Sequence, residues 1–444
     1  MAQSLPRFWP FVIRHLSFAL ALLAAARAPA LGEPVLGAPE EQIIHYETTQ
    51  GLADPVTLLQ KRLAHGETKL KFDSRRGYLP ALLKTFRIPV SSQGLVFSKT
   101  SSQRDHTSPQ TPRAVYFRDD VSVAWAPGAP VIDLASVDPE RGPIFYALDQ
   151  NSNAPPKFTR RTECMQCHLG PKTLNVPGLL VRSYDTASNG TPLATVEGFV
   201  SGHNSPLEAR WGGWYVTGTH SADRHLGNSF VTDPEHPERL DLASGANVTD
   251  LRSRFDTAAY LSPHSDLVAL LVLEHQVRMQ NLLTRANYET RHALAQSAKQ
   301  KSWSGASAGG APDWPQQRIA LAGEMLLEYL LFRNEAALHG PVQGTSGFAQ
   351  EFQRGGPRAA KGRSLRQFDL QTRLFRHPCS FLIYSASFDA LPAEMKTYLW
   401  RRLEQILTGQ DRSATYANLT ATDRQAVLEI LRETKPEFDA WMQR

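Results

Sequence analysis

Cysteine is nearly absent from this sequence: three occur among 444 residues, Cys164, Cys167 and Cys379. So few cysteines exclude the disulfide framework that stabilises many small exported domains. Cys164 and Cys167 stand three positions apart, whereas Cys379 is alone beside the apolar segment FLIY. We therefore expect Cys379 to be a buried structural thiol, and the two neighbouring cysteines are the candidates for chemistry.

The sequence also lacks a hydrophobic run long enough to span a membrane. Its longest mostly apolar run, residues 16–26, is ended by Arg27, well short of the roughly 20 residues that a transmembrane helix needs. Because Arg7 and Arg14 precede this run and small residues follow it, the pattern predicts a cleaved signal peptide over residues 1–32 rather than a membrane anchor. We expect an exported protein, periplasmic or extracellular, with no transmembrane span in the mature chain.

Long runs of charge of one sign are missing as well. The formal net charge is +5, and it falls to +2 without residues 1–32, which carry three arginines and no acidic residue. No Lys/Arg run with interleaved aromatic residues is present. We therefore expect no binding to nucleic acid.

The apolar pattern predicts an α+β fold. Residues 113–235 contain short apolar or alternating runs separated by Gly, Pro, Asn and Asp, which is typical of strands. From Ser262 the period becomes helical, and one helix could exceed thirty residues and pair antiparallel with a helix between Asp313 and Gly340. We expect a strand-rich region over 33–250 and a mainly helical region over 251–444, with further helices near 393–408 and 421–434.

The stretch TECMQCHLGP, residues 162–171, has a spacing that chemistry explains better than packing. In the pattern C-x-x-C-H, two thiols can each add to one vinyl group of a haem while the adjacent imidazole binds the iron. We therefore expect Cys164 and Cys167 as thioether anchors, His168 as proximal ligand, and one haem c per chain. A zinc site would need a second C-x-x-C or a matching His pair, which the sequence does not contain. A thioredoxin-type site would need a βαβ setting, which the sequence does not predict.

Candidates for the sixth iron ligand come from two segments. WGGWYVTGTHSADRHLGNSF places His220 and His225 in a Gly-rich loop, where backbone can approach a cofactor closely. LEHQVRMQN places His275 and Met279 at positions i and i+4, on one face of the long helix. For each histidine the alternative is a hydrogen-bonded core residue.

Five segments together resemble a known family, the uncharacterised bacterial secreted proteins with a cytochrome c domain and a single C-x-x-C-H motif. These segments are RTECMQCH, NVPGLLVRSY, SPLEARWGGWYVTGTHSADRHLGN, LVLEHQVRMQNLLTRANYETR and FDLQTRLFRHPCSFLIYS. The resemblance covers nearly the whole mature chain and implies covalent haem on the motif and a redox role, without implying a substrate. The family often has His where this chain has Gln280 and Tyr where it has His377, so neither position gains functional weight.

The sequence therefore favours an exported mono-haem c-type cytochrome that exchanges electrons with an unidentified redox partner protein. One alternative is a peroxidase-like haem enzyme with an open or displaceable sixth iron position. In that enzyme His220, His225 or His275 would be the acid/base and Arg224 an electrostatic helper. A second alternative is a non-redox binding protein in which C-x-x-C-H binds another metal or has a structural role.

Overall fold

Strands are concentrated before residue 161 in the computed structural model, which describes residues 35–193, 198–233, 235–236, 239–304 and 314–444. The predicted signal peptide, 1–32, lies outside the described residues. The strands are β1 Gly94–Val96, β2 Arg113–Arg118, β3 Val121–Trp125, β4 Val131–Asp138, β5 Gly142–Asp149, β6 Phe158–Arg160, β7 Arg182–Ser183, β8 Phe199–Val200, β9 Trp214–Tyr215, β10 Gly218–Thr219 and β11 Gln343–Gly344.

Seven of these strands form one antiparallel sheet in the order β6-β5-β4-β3-β2-β1-β9. The inward-facing residues of neighbouring strands meet in register, as Val123 faces Leu134 and Leu134 faces Tyr146. β7 pairs with β8, and β10 pairs with β11. Beyond residue 160 the structure has two-residue strands only, which are shorter than the sequence predicts, because Gly and Pro interrupt the backbone pairing there.

The helices dominate the second half of the chain. They are α1 Ala38–Ile44, α2 Pro55–Ala64, α3 Leu79–Phe86, α4 Met165–His168, α5 Leu242–Gly245, α6 Leu267–Ser304, α7 Trp314–Leu330, α8 Phe348–Arg354, α9 Ala386–Asp389, α10 Ala393–Leu407, α11 Ala421–Thr434 and α12 Pro436–Met442. An antiparallel sheet in the first half of the chain and a mainly helical second half confirm the α+β prediction. The helices predicted near 393–408 and 421–434 are α10 and α11.

Helix α6 is the central element, and at 38 residues it confirms the predicted length. It begins at Leu267 and not at the predicted Ser262-Pro263, because the Asp266 carboxylate caps it by accepting hydrogen bonds from the backbone of Val268 and Ala269. Residues 267–273 are buried on every side, as in helices that run through a core.

Helices α6 and α7 pair antiparallel, as predicted. Glu289, late in α6, forms an ion pair with Arg318, early in α7. His275, early in α6, stacks on Tyr329, late in α7, with ring centroids 5.4 Å apart. Among the described residues, no helix combines the length and apolar character that crossing a bilayer requires.

The sheet and α6 approach each other closely at the turn between β4 and β5. Gly142 has φ +76°, and a Cβ at this position would lie 2.5 Å from Cγ2 of Thr284 on α6. Only glycine satisfies both the backbone angle and the space. This contact places the middle of α6 beside β5, next to the C-x-x-C-H segment that follows β6.

Candidate functional site

The C-x-x-C-H segment forms one helical turn directly after edge strand β6. Cys164 already has helical backbone angles, φ −59° and ψ −25°, and α4 continues to His168. Because positions three and four apart share one face of a helix, the side chains of Cys164, Cys167 and His168 project to the same side of the turn. Met165 is buried in the core, which anchors the turn.

Both cysteines of the motif are free thiols. Cys167 is exposed and Cys164 is half-buried. Burial raises the pKa of the Cys164 thiol to about 11, and the negative charges of Asp133 and Glu163 act in the same direction. Cys164 is therefore a neutral thiol at pH 7.

His168 is held in one tautomer by its own loop. Its Nδ1 lies 2.8 Å from the carbonyl oxygen of Gly178, and the Gly178 N–H donates to the His168 carbonyl at 2.9 Å. Since a carbonyl oxygen can only accept, Nδ1 carries the proton and Nε2 carries the lone pair. No hydrogen bond from the described residues reaches Nε2. This is the tautomer in which an imidazole binds a metal through Nε2.

The environment of His168 keeps the ring neutral. Burial lowers its pKa to about 4 against the opposing hydrogen bond to Gly178, and the positive charges of Arg182 and Arg113 lower it further. The ring packs on Phe145 of β5, with centroids 4.6 Å apart. At neutral pH His168 is thus an uncharged donor with its lone pair available.

The loop after the motif is fastened to α6. The Asn281 side chain binds Leu179 twice: Oδ1 accepts from the Leu179 N–H at 2.7 Å, and Nδ2 donates to its carbonyl at 2.8 Å. Arg285, one turn further along, donates to the carbonyl of Leu174 at 3.3 Å. The helical region therefore contributes to the geometry of a motif that lies more than 100 residues earlier.

Gly178 lets this loop lie close to the helix. A Cβ at this position would lie 2.7 Å from the Cβ of Thr173 and 2.8 Å from Oδ1 of Asn281, which is too close for any side chain. Neither Gly178 nor Asn281 was singled out as a site residue from the sequence. The one signal that could have marked position 281 is a polar side chain on a long helix whose apolar residues predict burial, because a buried amide needs partners.

His220 and His225 are neighbours in the structure. Their rings are 5.1 Å apart, both are buried, and burial lowers the pKa of each, that of His225 to about 3. Both ring nitrogens of His220 and Nδ1 of His225 are buried without a hydrogen-bond partner. Arg224 is exposed and donates to carbonyls of its own loop, those of Ala222 and Asp223. In the described chain, no hydrogen bond, ion pair or ring contact joins this loop to the C-x-x-C-H turn.

Both ring nitrogens of His275 have hydrogen-bond partners in the core. Its Nδ1 lies 2.8 Å from Nδ1 of His203, and its Nε2 lies 2.7 Å from Oγ of Ser380. Neither nitrogen of His275 is free for a metal in this arrangement. Met279, on α6, is fully buried in the hydrophobic core, and Cys379 is fully buried as expected.

Within the part of the chain that the structure describes, no group of three or more His, Cys, Asp or Glu side chains is placed to hold a metal ion. The C-x-x-C-H turn offers one imidazole and two thiols, which is the set that a covalently attached haem requires.

No family model, curated protein or solved structure matches the chain.

Proposed function

We propose that the protein is an exported mono-haem c-type cytochrome that takes part in electron transfer outside the cytoplasm. Cys164 and Cys167 would hold the haem through two thioether bonds, and His168 would bind its iron through Nε2. The observation that carries this proposal is the hydrogen bond from His168 Nδ1 to the Gly178 carbonyl, because it leaves Nε2 unprotonated beside two free thiols on one helical turn.

The site residues fit this group. The imidazole is neutral at pH 7, so its lone pair needs no deprotonation before it binds iron. The two thiols are unpaired, and Cys167 is exposed, so the haem would attach at the surface of the protein. A surface position suits electron exchange with a partner, because transfer requires a short distance between redox centres.

A bound haem c supplies an iron that gains and loses one electron, with a potential set by its axial ligand and surroundings. The chain itself fixes the ring of His168 between Phe145 and the Gly178 carbonyl. It also keeps charge near the ligand: Arg182 and Arg113 are close enough to lower the pKa of His168. These contacts hold the ring of His168 in one orientation.

The first test is a reduced pyridine haemochrome spectrum of protein exported from cells that mature c-type cytochromes. We expect a c-type band at about one haem per chain, and haem that stays with the denatured polypeptide on a gel. The double variant C164S/C167S should lose the covalent haem, whereas the matched control C379A should keep it. A colourless chain, or haem that is released on denaturation, would contradict the proposal and leave the non-redox binding protein.

The spin state of the ferric haem then separates the carrier from the enzyme. A six-coordinate, low-spin haem supports the electron carrier. A high-spin haem that binds cyanide supports the peroxidase-like enzyme, and His220, His225 and Arg224 would then be the variants to assay.

A further inference from the structure

A single peptide group lies between His168 and the central helix. Its carbonyl, that of Gly178, accepts from Nδ1 of His168 at 2.8 Å. Its N–H, that of Leu179, donates to Oδ1 of Asn281 at 2.7 Å. The two hydrogen bonds therefore run in series through the same peptide unit, from the Asn281 amide to the imidazole.

Hydrogen bonds arranged in series strengthen one another. When the Leu179 N–H donates to Asn281, electron density moves toward the Gly178 oxygen, which becomes a better acceptor by about 10–30% per bond in condensed-phase estimates. A better acceptor draws the Nδ1 proton of His168 more strongly. The imidazole then gains electron density at Nε2, where it would bind a metal.

The orientation of the Asn281 amide is fixed by its second bond. Nδ2 donates to the Leu179 carbonyl at 2.8 Å, so a flipped amide would place N–H against N–H and oxygen against oxygen. Asn281 is only 2% exposed, and water therefore does not compete for these bonds. The missing Cβ at Gly178 allows the amide to reach the peptide group.

We propose that Asn281 is a positioning residue that sets the donor strength of His168 through the Gly178–Leu179 peptide, and thereby the reduction potential of the bound haem. This inference rests on the proposed function. A stronger imidazole donor stabilises ferric iron over ferrous iron, so the intact series of bonds lowers the potential. Removing the acceptor on Asn281 raises it.

The test compares Asn281→Leu with Asn287→Leu in the haem-loaded protein. Asn287 is a matched control because it is also 2% exposed and lies on the same helix, and its amide donates at 3.2 Å to the Ala390 carbonyl, which lies outside the motif loop. We expect N281L to raise the ferrous-to-ferric ratio at a fixed solution potential about tenfold, equivalent to ~59 mV. N287L should leave it unchanged. Equal shifts in the two variants, or none in N281L, would overturn the inference.

Asn281→Asp is the second variant, and it covers the case in which N281L does not fold. An ionised Asp loses the bond that Nδ2 donates to the Leu179 carbonyl and places a second oxygen beside it. It keeps an acceptor for the Leu179 N–H, and a charged acceptor is stronger than an amide oxygen, so the potential should move downward, opposite to N281L. Asn287→Asp measures the effect of a new charge at a distance. A residue that only stabilised the fold would shift the potential in the same direction whether Leu or Asp replaced it, and that result would also overturn the inference.

A haem-free measurement separates this inference from the proposed function. In the full chain produced without haem and labelled with ¹⁵N-histidine, N281L should move the Nδ1 and Nδ1–H resonances of His168 toward those of a weaker hydrogen bond, and N287L should not. If the wild-type protein carries no haem, the predicted effect on the reduction potential is lost together with the proposed function. The His168 resonances alone then show whether Asn281 strengthens the hydrogen bond from His168 to Gly178. If haem binds and neither the resonances nor the potential respond to N281L, the inference fails alone.

Discussion

His203 and His275 face each other in the core with their Nδ1 atoms 2.8 Å apart. One proton must lie between the two nitrogens, so one ring donates and the other accepts. Burial lowers the pKa of both rings, that of His275 to about 3, and each would also repel a charge on the other. The pair is therefore neutral at pH 7, and its stability depends on pH.

We expect the haem-free protein to lose stability as the pH falls from 7 toward 4. An unfolded histidine takes up a proton near pH 6.5, whereas His275 in the folded state does so only near pH 3. Between these values the unfolded chain binds more protons, so each such histidine lowers the free energy of unfolding by about 1.4 kcal/mol per pH unit. Urea unfolding at pH 6, 5 and 4 measures this slope. His275→Gln should reduce it by that amount, and His65→Gln, at an exposed site, should not; an unchanged slope in His275→Gln would contradict the prediction.

Replacing Arg210 by Met should destabilise the protein strongly. Arg210 Nη1 lies 2.9 Å from Glu274 Oε2, and the two side chains are 2% and 0% exposed. Without the guanidinium, the buried carboxylate has no counter-charge, which costs about 3–5 kcal/mol. The double variant R210M/E274L should cost clearly less than the sum of the two single variants. Equilibrium urea unfolding of all four proteins gives this coupling, and simple additivity would show that the ion pair is not the reason.

Adding one methyl group at Gly178 should disturb the loop that holds His168. The new Cβ would contact Thr173 and Asn281 at less than 3 Å, and overpacking of this kind costs about 1–3 kcal/mol. Gly170→Ala is the control, because a Cβ at Gly170 meets nothing within 4 Å and its φ of 162° is extended backbone. Urea unfolding of the haem-free chains should show a loss for G178A only. Equal stability of G178A and G170A would contradict the prediction and would show that the loop moves to make room for the methyl group.

The rate of reaction with a thiol reagent should distinguish Cys167 from Cys379. In the folded haem-free protein, a thiol reagent should modify the exposed Cys167 first and the buried Cys379 at least on the order of a hundredfold more slowly, because burial also raises the pKa of the Cys379 thiol. Variant C167S should lose the fast phase, and C379A should keep it. In the haem-loaded protein no fast thiol should remain, and a persisting fast phase would show that Cys167 is not bonded.

The reactive segment and the helices could be read from the sequence because both depend on local order. Cys164, Cys167 and His168 lie within five residues, so they stay close together wherever the segment lies. The 3.6-residue period of the segment after Asp266 requires a helix, and its apolar residues on all sides require burial. The Ser262-Pro263 pattern places the start of α6 four residues too early, because the Asp266 carboxylate caps the helix instead.

Tertiary structure alone decided which distant polar groups meet. Asn281 reaches the peptide of Gly178 and Leu179 across a sequence separation of 102 residues, and His275 reaches His203 across 72. Nothing in the sequence beside Asn281, His275 or His203 selects their partners. A buried donor or acceptor must find a partner, but which one it finds depends on how the sheet, the motif loop and α6 pack. The sequence by itself determined which groups the C-x-x-C-H turn offers, two thiols and one imidazole, and packing determined the tautomer and the support of its histidine.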